Sequence, residues 1–374
     1  MRKISLFLLV VSLFVLPAHA DKLLFSLSDP VGDDNGAGSY IYPKNQVFKP
    51  GSFDLTSFEV YDGDQDVTFR IYFSNWFNSP PDLQIANDKN LNSMFKTSLF
   101  LQNIDIYIDK DHKLNSGLTS TIPGRNVRID PGSAWEEAIF IAPQPYLARV
   151  ETKRLAKEMA DKIIIPSNYE IHWNYIECKM PKEQIGQPEQ RWGYLVCVTG
   201  AEWESSAFSL ASWMKYGPSY EEPDLNRIVD KYASEWEFGG GDDSGAAPNV
   251  IDIITASNES QSKLLSNYDP ATKRRAAVPA VYPFNSTLEA GDEINAETGS
   301  GVATVIDVIA NVVTIDAGKG SGLYVGRLGQ VYDGSGTLAA TIMVEEIKPH
   351  LSICTVVPLT QREEIAAGMK VKFK

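Results

Sequence analysis

The fold is decided by two short runs of sequence, residues 53–60 (FDLTSFEV) and residues 67–73 (VTFRIYF). In both runs apolar side chains alternate with polar ones, the pattern of a strand with one buried face. The intervening residues 62–66 (DGDQD) are turn-forming. The sequence therefore predicts a β-hairpin here.

The same turn also resembles the start of an EF-hand calcium loop, because Asp62, Asp64 and Asp66 alternate. The loop would need a glycine next and a glutamate at its twelfth position, but Val67 and Phe73 stand there. We therefore favour the hairpin turn.

Runs of the same kind recur through the chain with little helical sequence between them. They cover residues 99–109, 134–141, 170–178 and 192–199, and after residue 300 six shorter runs alternate with glycines. This spacing predicts a mainly β protein: an antiparallel β-sandwich followed by a small β-barrel. We place the sandwich at 21–245, its tail and a linker at 246–299, and the barrel at 300–374.

The first twenty residues have the three parts of a secretory signal peptide. Met1-Arg2-Lys3 is basic, residues 4–16 are almost all apolar, and Ala18-His19-Ala20 fits a cleavage site. An uncleaved anchor would need a longer apolar run. We expect a protein exported to the periplasm or secreted, with no membrane span after signal removal.

Composition and motifs exclude several function classes. The 374 residues carry a net charge of −14, which disfavours nucleic acid and anionic membrane surfaces as partners. The motifs of serine hydrolases, zinc proteases, P-loop proteins and Rossmann folds are absent. We expect no enzyme, although a glycosidase needs only two carboxylates and stays an alternative.

Two glycine-rich acidic loops suggest a metal site. Asp29, Asp33 and Asp34 lie in the first loop, and Asp242 and Asp243 lie in the second. Carboxylates on flexible loops suit Ca²⁺, and neither loop has a histidine or cysteine close in sequence. The alternative is a solvated loop whose aspartates accept hydrogen bonds from nearby backbone amides.

Aromatic residues are concentrated in the last third of the sandwich. Trp213, Tyr216 and Tyr220 lie in turn-rich sequence, whereas Trp192 and Trp236 have the setting of core residues. Exposed rings stack on the apolar faces of sugar rings. We therefore expect Trp213, Tyr216 and Tyr220 to bind carbohydrate.

An exported protein can form disulfides, and Cys178 and Cys197 lie in runs that could be neighbours. A bridge between them and two small buried side chains are both open interpretations.

Residues 24–281 resemble the C-terminal domain of glucodextranase and of pullulanase-type enzymes. The likeness rests on motifs in the family's order: 29–36 (DPVGDDNG), 40–43 (YIYP), 50–55 (PGSFDL), 134–139 (AWEEAI), 238–243 (FGGGDD), 248–252 (PNVID) and Gln261. The resemblance implies a non-catalytic, DOMON-like β-sandwich that binds a carbohydrate polymer or oligosaccharide, of the α-glucan kind.

The C-terminal segment is similar to the small C-terminal domain of flagellar assembly protein T. The likeness lies in residues 312–318 (VVTIDAG), 326–332 (GRLGQVY) and 366–371 (AAGMKV). It implies contact with cell-envelope proteins.

Two functions follow: an exported carbohydrate-binding protein, or an assembly factor of the bacterial envelope that binds no sugar.

Overall fold

The structure is a computed structural model of a β-sandwich followed by a closed β-barrel. It describes residues 21–45, 48–75, 102–114, 116–143, 145–167, 169–201, 229–234, 237–242, 244–256, 259–289, 302–309, 311–318, 323, 325–348, 350–357 and 364–373. The predicted fold class is confirmed.

The first sheet of the sandwich is five-stranded and antiparallel, in the order β1-β2-β3-β9-β8. Its strands are Lys22–Ser28 (β1), Leu55–Asp62 (β2), Asp66–Phe73 (β3), Glu170–Ile171 (β8) and Tyr175–Pro181 (β9). The predicted hairpin is β2–β3, in which Phe58 pairs with Ile71 and Val60 with Phe69. The Gly63 amide donates to the Asp66 carbonyl at 3.0 Å, which closes the turn.

The second sheet also has five strands, in the order β11-β10-β4-β6-β7. They are Gln102–Asp109 (β4), Glu137–Ile141 (β6), Ile163–Ile164 (β7), Gly193–Gly200 (β10) and Asp252–Ile253 (β11). The short β6–β7 pair is parallel, and the other pairs are antiparallel. The sheet thus includes a strand from the 246–299 segment.

The two sheets pack face to face on one apolar core. Phe58 and Phe69 enter it from the first sheet, and Ile106 and Val196 from the second, all fully buried. Burial of each such side chain stabilises the fold by about 1.5–3 kcal/mol. The alternation of apolar and polar residues in the sequence arises because every second side chain of these strands points into this core.

The outer face of the second sheet is covered by a second core. Tyr107, Phe140 and Leu195 point into it and pack with Trp135 and Leu265. The covering elements are Val127–Ile129 (β5), Pro145–Leu155 (α1), Gln261–Leu265 (α3) and Ala276–Val278 (β12), and a 3₁₀ helix, Pro131–Ser133 (η1), follows β5 in the chain. Two short helices lie elsewhere, Ala160–Lys162 (η2) and Lys182–Ile185 (α2). The central strands β4 and β10 are therefore buried on both faces.

The C-terminal barrel is closed, in the strand order β13-β14-β17-β16-β15-β18. Its strands are Val302–Ile309 (β13), Val312–Ile315 (β14), Leu328–Tyr332 (β15), Leu338–Ile347 (β16), Ser352–Val356 (β17) and Lys370–Phe373 (β18). Val313, Val331 and Ile342 fill its interior. The barrel contacts the sandwich: Arg128 forms an ion pair with Glu345 at 3.0 Å, and the Thr119 hydroxyl donates to the Gly326 carbonyl.

All three cysteines are free and buried. Cys178 points into the core between the sheets, whereas Cys197 points into the outer core of the second sheet. The two sulfurs therefore lie in separate cores, and the interpretation as small buried side chains is the one the structure supports. Within the described residues, none of the helices combines the length and apolar character needed to cross a membrane.

Candidate functional site

Three carboxylates from two distant parts of the chain meet at one end of the sandwich. Asp29 and Asp33 lie just after β1, and Asp252 lies on β11. One oxygen from each lies within 4.8 Å of the others, close enough to share a metal ion. Asp29 and Asp33 belong to the metal set expected from the sequence. Asp252 was missed, although it ends one of the motifs of the family resemblance.

Backbone amides hold this carboxylate cluster in place. Asp252 accepts hydrogen bonds from the Leu55 amide at 2.6 Å and from the Ile253 amide at 2.9 Å. Asp29 Oδ1 accepts from the Thr255 amide at 3.3 Å. Gln261 reaches from α3, donating to the Asp33 carbonyl at 2.5 Å. The cluster thus connects the beginning and the end of the sandwich.

Two further buried aspartates shape the loop around the cluster. Both oxygens of Asp54 accept from the Gly32 amide, at 2.9 and 3.0 Å. Asp34, expected as a ligand, instead accepts from the Gly51 amide at 3.2 Å and lies outside the group of three. These bonds fix the turn that carries Asp33.

The second acidic loop runs beside the first one. Ile41 and Gly239 form an antiparallel bridge, and Gly240 has a φ of +99°. A Cβ at Gly240 would lie 2.4 Å from the Ser39 carbonyl oxygen, so this close approach requires glycine. Asp242 caps its own turn by accepting from the Ser244 amide at 2.8 Å and is not in the group of three. Asp243 lies outside the described residues.

The crowded carboxylates resist ionisation. Burial, followed by the charge of Asp33, raises the pKa of Asp29 to about 8. Burial and the charge of Asp54 raise the pKa of Asp33 and of Asp34 to about 6. Full burial next to Asp29 raises the pKa of Asp252 well above its usual range. A bound cation would lower these pKa values, because it favours the charged carboxylates.

The aromatic residues expected to bind sugar lie outside the described residues. Trp213, Tyr216 and Tyr220 fall within 202–228, and Trp236 is also outside the described part of the chain. The sugar-binding role of the first three stays a prediction. Trp192 is buried in the core between the sheets, as expected.

The outer face of the first sheet presents tyrosines that the sequence analysis did not single out. Tyr72 on β3 stacks on Tyr175 of β9, with ring centroids 4.8 Å apart and planes 30° apart. His172 also stacks on Tyr175, with ring centroids 4.2 Å apart. Trp173, in the turn between β8 and β9, has 70% of its surface exposed. We call this group, together with Tyr61, the tyrosine face.

Charged side chains on neighbouring strands surround these rings. The Arg70 guanidinium donates to Glu177 at 2.8 Å and to the Tyr61 hydroxyl at 3.1 Å, and it lies 4.4 Å from the centre of the Tyr61 ring. Glu59 accepts from Tyr61 at 2.7 Å and from Tyr72 at 3.0 Å. Burial and the bond to Glu59 raise the pKa of Tyr72 to about 12, so its hydroxyl stays a donor. The arrangement offers fixed ring planes beside fixed hydrogen-bonding groups.

A signal for the tyrosine face was present in the sequence. Glu59, Arg70 and Tyr72 occupy polar positions of the two alternating runs that predict the hairpin, and Tyr61 continues the alternation just after the first run. Alternation places them on one face. It does not show that this face stays partly exposed while the corresponding face of the other sheet is buried.

Comparison with known proteins identifies a family that includes the sandwich. Residues 24–282 match the sequence model of a family described as the C-terminal binding module, SLH-like, of glucodextranase. No curated protein matches the chain. The matched residues span more than half of the chain and contain both sheets of the sandwich, the carboxylate cluster and the tyrosine face. The chain therefore belongs to the family of glucodextranase C-terminal, SLH-like binding modules.

Proposed function

We propose that this chain is an exported, non-catalytic protein that binds carbohydrate of the α-glucan kind through its β-sandwich. Membership in a family of binding modules is the observation that carries the proposal. Export is supported by the signal-like sequence of residues 1–20. Either the periplasm or the exterior agrees with that sequence.

The tyrosine face has the chemistry that a sugar requires. One side of a pyranose ring is lined with C–H groups that pack on aromatic planes, while its hydroxyls need donors and acceptors. Trp173 offers an exposed ring plane next to the stack of Tyr72, Tyr175 and His172, and Arg70 and Glu177 offer hydrogen-bonding groups 2.8 Å apart. These groups are already held by one another, so few rotamers would be lost on binding. Trp213, Tyr216 and Tyr220 are a second candidate platform.

Affinity electrophoresis and calorimetry with soluble starch, pullulan and dextran test the proposal. We expect retardation by an α-glucan, and Tyr175→Ala and Trp173→Ala should each weaken binding about tenfold, or about 1.4 kcal/mol. Tyr232→Ala is the matched control, because Tyr232 is 73% exposed but lies outside the tyrosine face. No reducing sugar should be released.

The same assay separates the two candidate platforms. If Trp213→Ala or Tyr216→Ala abolishes retardation while Tyr175→Ala has no effect, the ligand binds the 202–228 segment and not the tyrosine face. A wild-type protein that no glucan retards would contradict carbohydrate binding and favour the envelope-assembly alternative.

For the barrel we propose contact with other envelope proteins. Two apolar side chains on β13 are exposed, Ile306 at 48% and Ile309 at 70%.

Glucan affinity should be unchanged when residues 300–374 are removed, because the tyrosine face lies entirely on the sandwich. Lost affinity would place part of the sugar site on the barrel.

A further inference from the structure

The carboxylate cluster leaves two oxygens without a partner in the protein. Asp29 is 8% exposed and Asp252 is 0% exposed. Within the described residues, Asp29 Oδ2 and Asp33 Oδ1 are buried and accept no hydrogen bond. Buried polar atoms are nearly always paired, and each unpaired one costs free energy. These two oxygens therefore indicate a missing partner.

The missing partner is not a basic side chain of the described part of the chain. The lysine and arginine ion pairs found there involve other carboxylates, such as Asp62, Asp105 and Glu137. Three acidic groups within 4.8 Å of one another repel strongly when charged. A small external cation would pair both free oxygens and remove the repulsion.

We infer that Asp29, Asp33 and Asp252 are ligands of a calcium ion. The group contains only oxygen donors and no histidine or cysteine, which disfavours zinc and copper. Calcium accepts six to eight oxygens in irregular geometry, so waters can complete a site with three carboxylates. Asp34 and Asp54 act around the ion by holding the loop through the Gly51 and Gly32 amides.

The ion would fasten two remote segments of the sandwich together. Asp29 follows the first strand, whereas Asp252 belongs to the last strand of the second sheet. A ligand that binds only the folded chain stabilises it in proportion to the logarithm of its concentration over Kd. With free calcium at a hundredfold excess over Kd, the melting midpoint should rise by about 5–10 °C relative to EDTA.

Thermal melting and calorimetry of the full mature chain test this inference with calcium alone as the probe. We expect a higher midpoint in millimolar calcium than in EDTA, and a single binding heat. Equal midpoints with no binding heat would overturn the inference. An equal shift from magnesium or zinc would overturn the assignment to calcium.

Variants locate the site. Asp29→Asn and Asp33→Asn should each lower calcium affinity at least tenfold, while melting in EDTA no lower than the wild type, because asparagine keeps the shape of the side chain and adds no charge to the cluster. Asp64→Asn is the matched control, since Asp64 is an exposed aspartate in the β2–β3 turn. It should bind calcium like the wild type, and a loss of affinity equal to that of Asp29→Asn would refute the placement. Should Asp29→Asn fail to fold, Asp33→Asn gives the same test at a less buried position.

Discussion

The ion pair between Asp105 and Arg125 allows a sharp test of how the second sheet is stabilised. Both side chains are 0% exposed, and two hydrogen bonds of 2.6 and 2.8 Å join them. The Arg125 guanidinium also lies 4.7 Å from the centre of the Phe140 ring, inside the outer core. Replacement of Asp105 by alanine would leave a buried guanidinium without a counter-charge. Breaking a pair of this kind costs about 3–5 kcal/mol.

A cost of this size should be easy to measure by urea unfolding and thermal melting. At about 2–4 °C per kcal/mol for a domain of this size, Asp105→Ala should lower the melting midpoint by roughly 6–20 °C. The double variant Asp105→Leu with Arg125→Met should lose much less, because no buried charge is left unpaired. Glu189→Ala breaks the exposed pair with Arg191 and should cost less than about 1 kcal/mol. A loss below about 1 kcal/mol for Asp105→Ala would refute the reasoning.

Three further predictions concern the barrel contact, the cysteines and the acidic loops. Glu345→Ala leaves Arg128 buried without its partner and should lower the free energy of unfolding in urea by about 1–3 kcal/mol. Glu346→Ala breaks an exposed pair and should lower it by less than about 1 kcal/mol. Equal losses for the two variants would contradict a role for the barrel contact. In the absence of reductant, all three thiols should react with a thiol reagent once the protein is denatured, and none should react before. Fewer than three reactive thiols in the denatured protein would indicate a disulfide. Gly240→Ala should destabilise the sandwich by at least about 1 kcal/mol more than Gly245→Ala, because both have positive φ but only Gly240 faces a backbone oxygen; similar unfolding midpoints would disagree with that contact.

The strands and the barrel could be predicted from the sequence because their signals are local. Period-two alternation in residues 53–60 and 67–73 depends only on which side of each strand meets the core. Glycines between short apolar runs likewise predict the turns of the barrel, and the runs themselves correspond to its strands β13 to β18. The acidic character of the first loop, with Asp29 and Asp33, is also visible in sequence alone.

The assembly of the sites was decided by tertiary structure, since their members are distant along the chain. Asp252 joins Asp29 only because β11 pairs with β10, and the bond between Asp29 and the Thr255 amide spans 226 residues. Cys178 and Cys197 lie in separate cores. Cys178 points from the first sheet into the core between the sheets, whereas Cys197 points from the second sheet into the outer core. The tyrosine face could be placed on one side of a strand from the alternation, yet its partial exposure depends on where the rest of the chain packs. Local periodicity fixes which side chains share a face, and only long-range packing decides whether that face is buried, bears a carboxylate cluster or meets solvent.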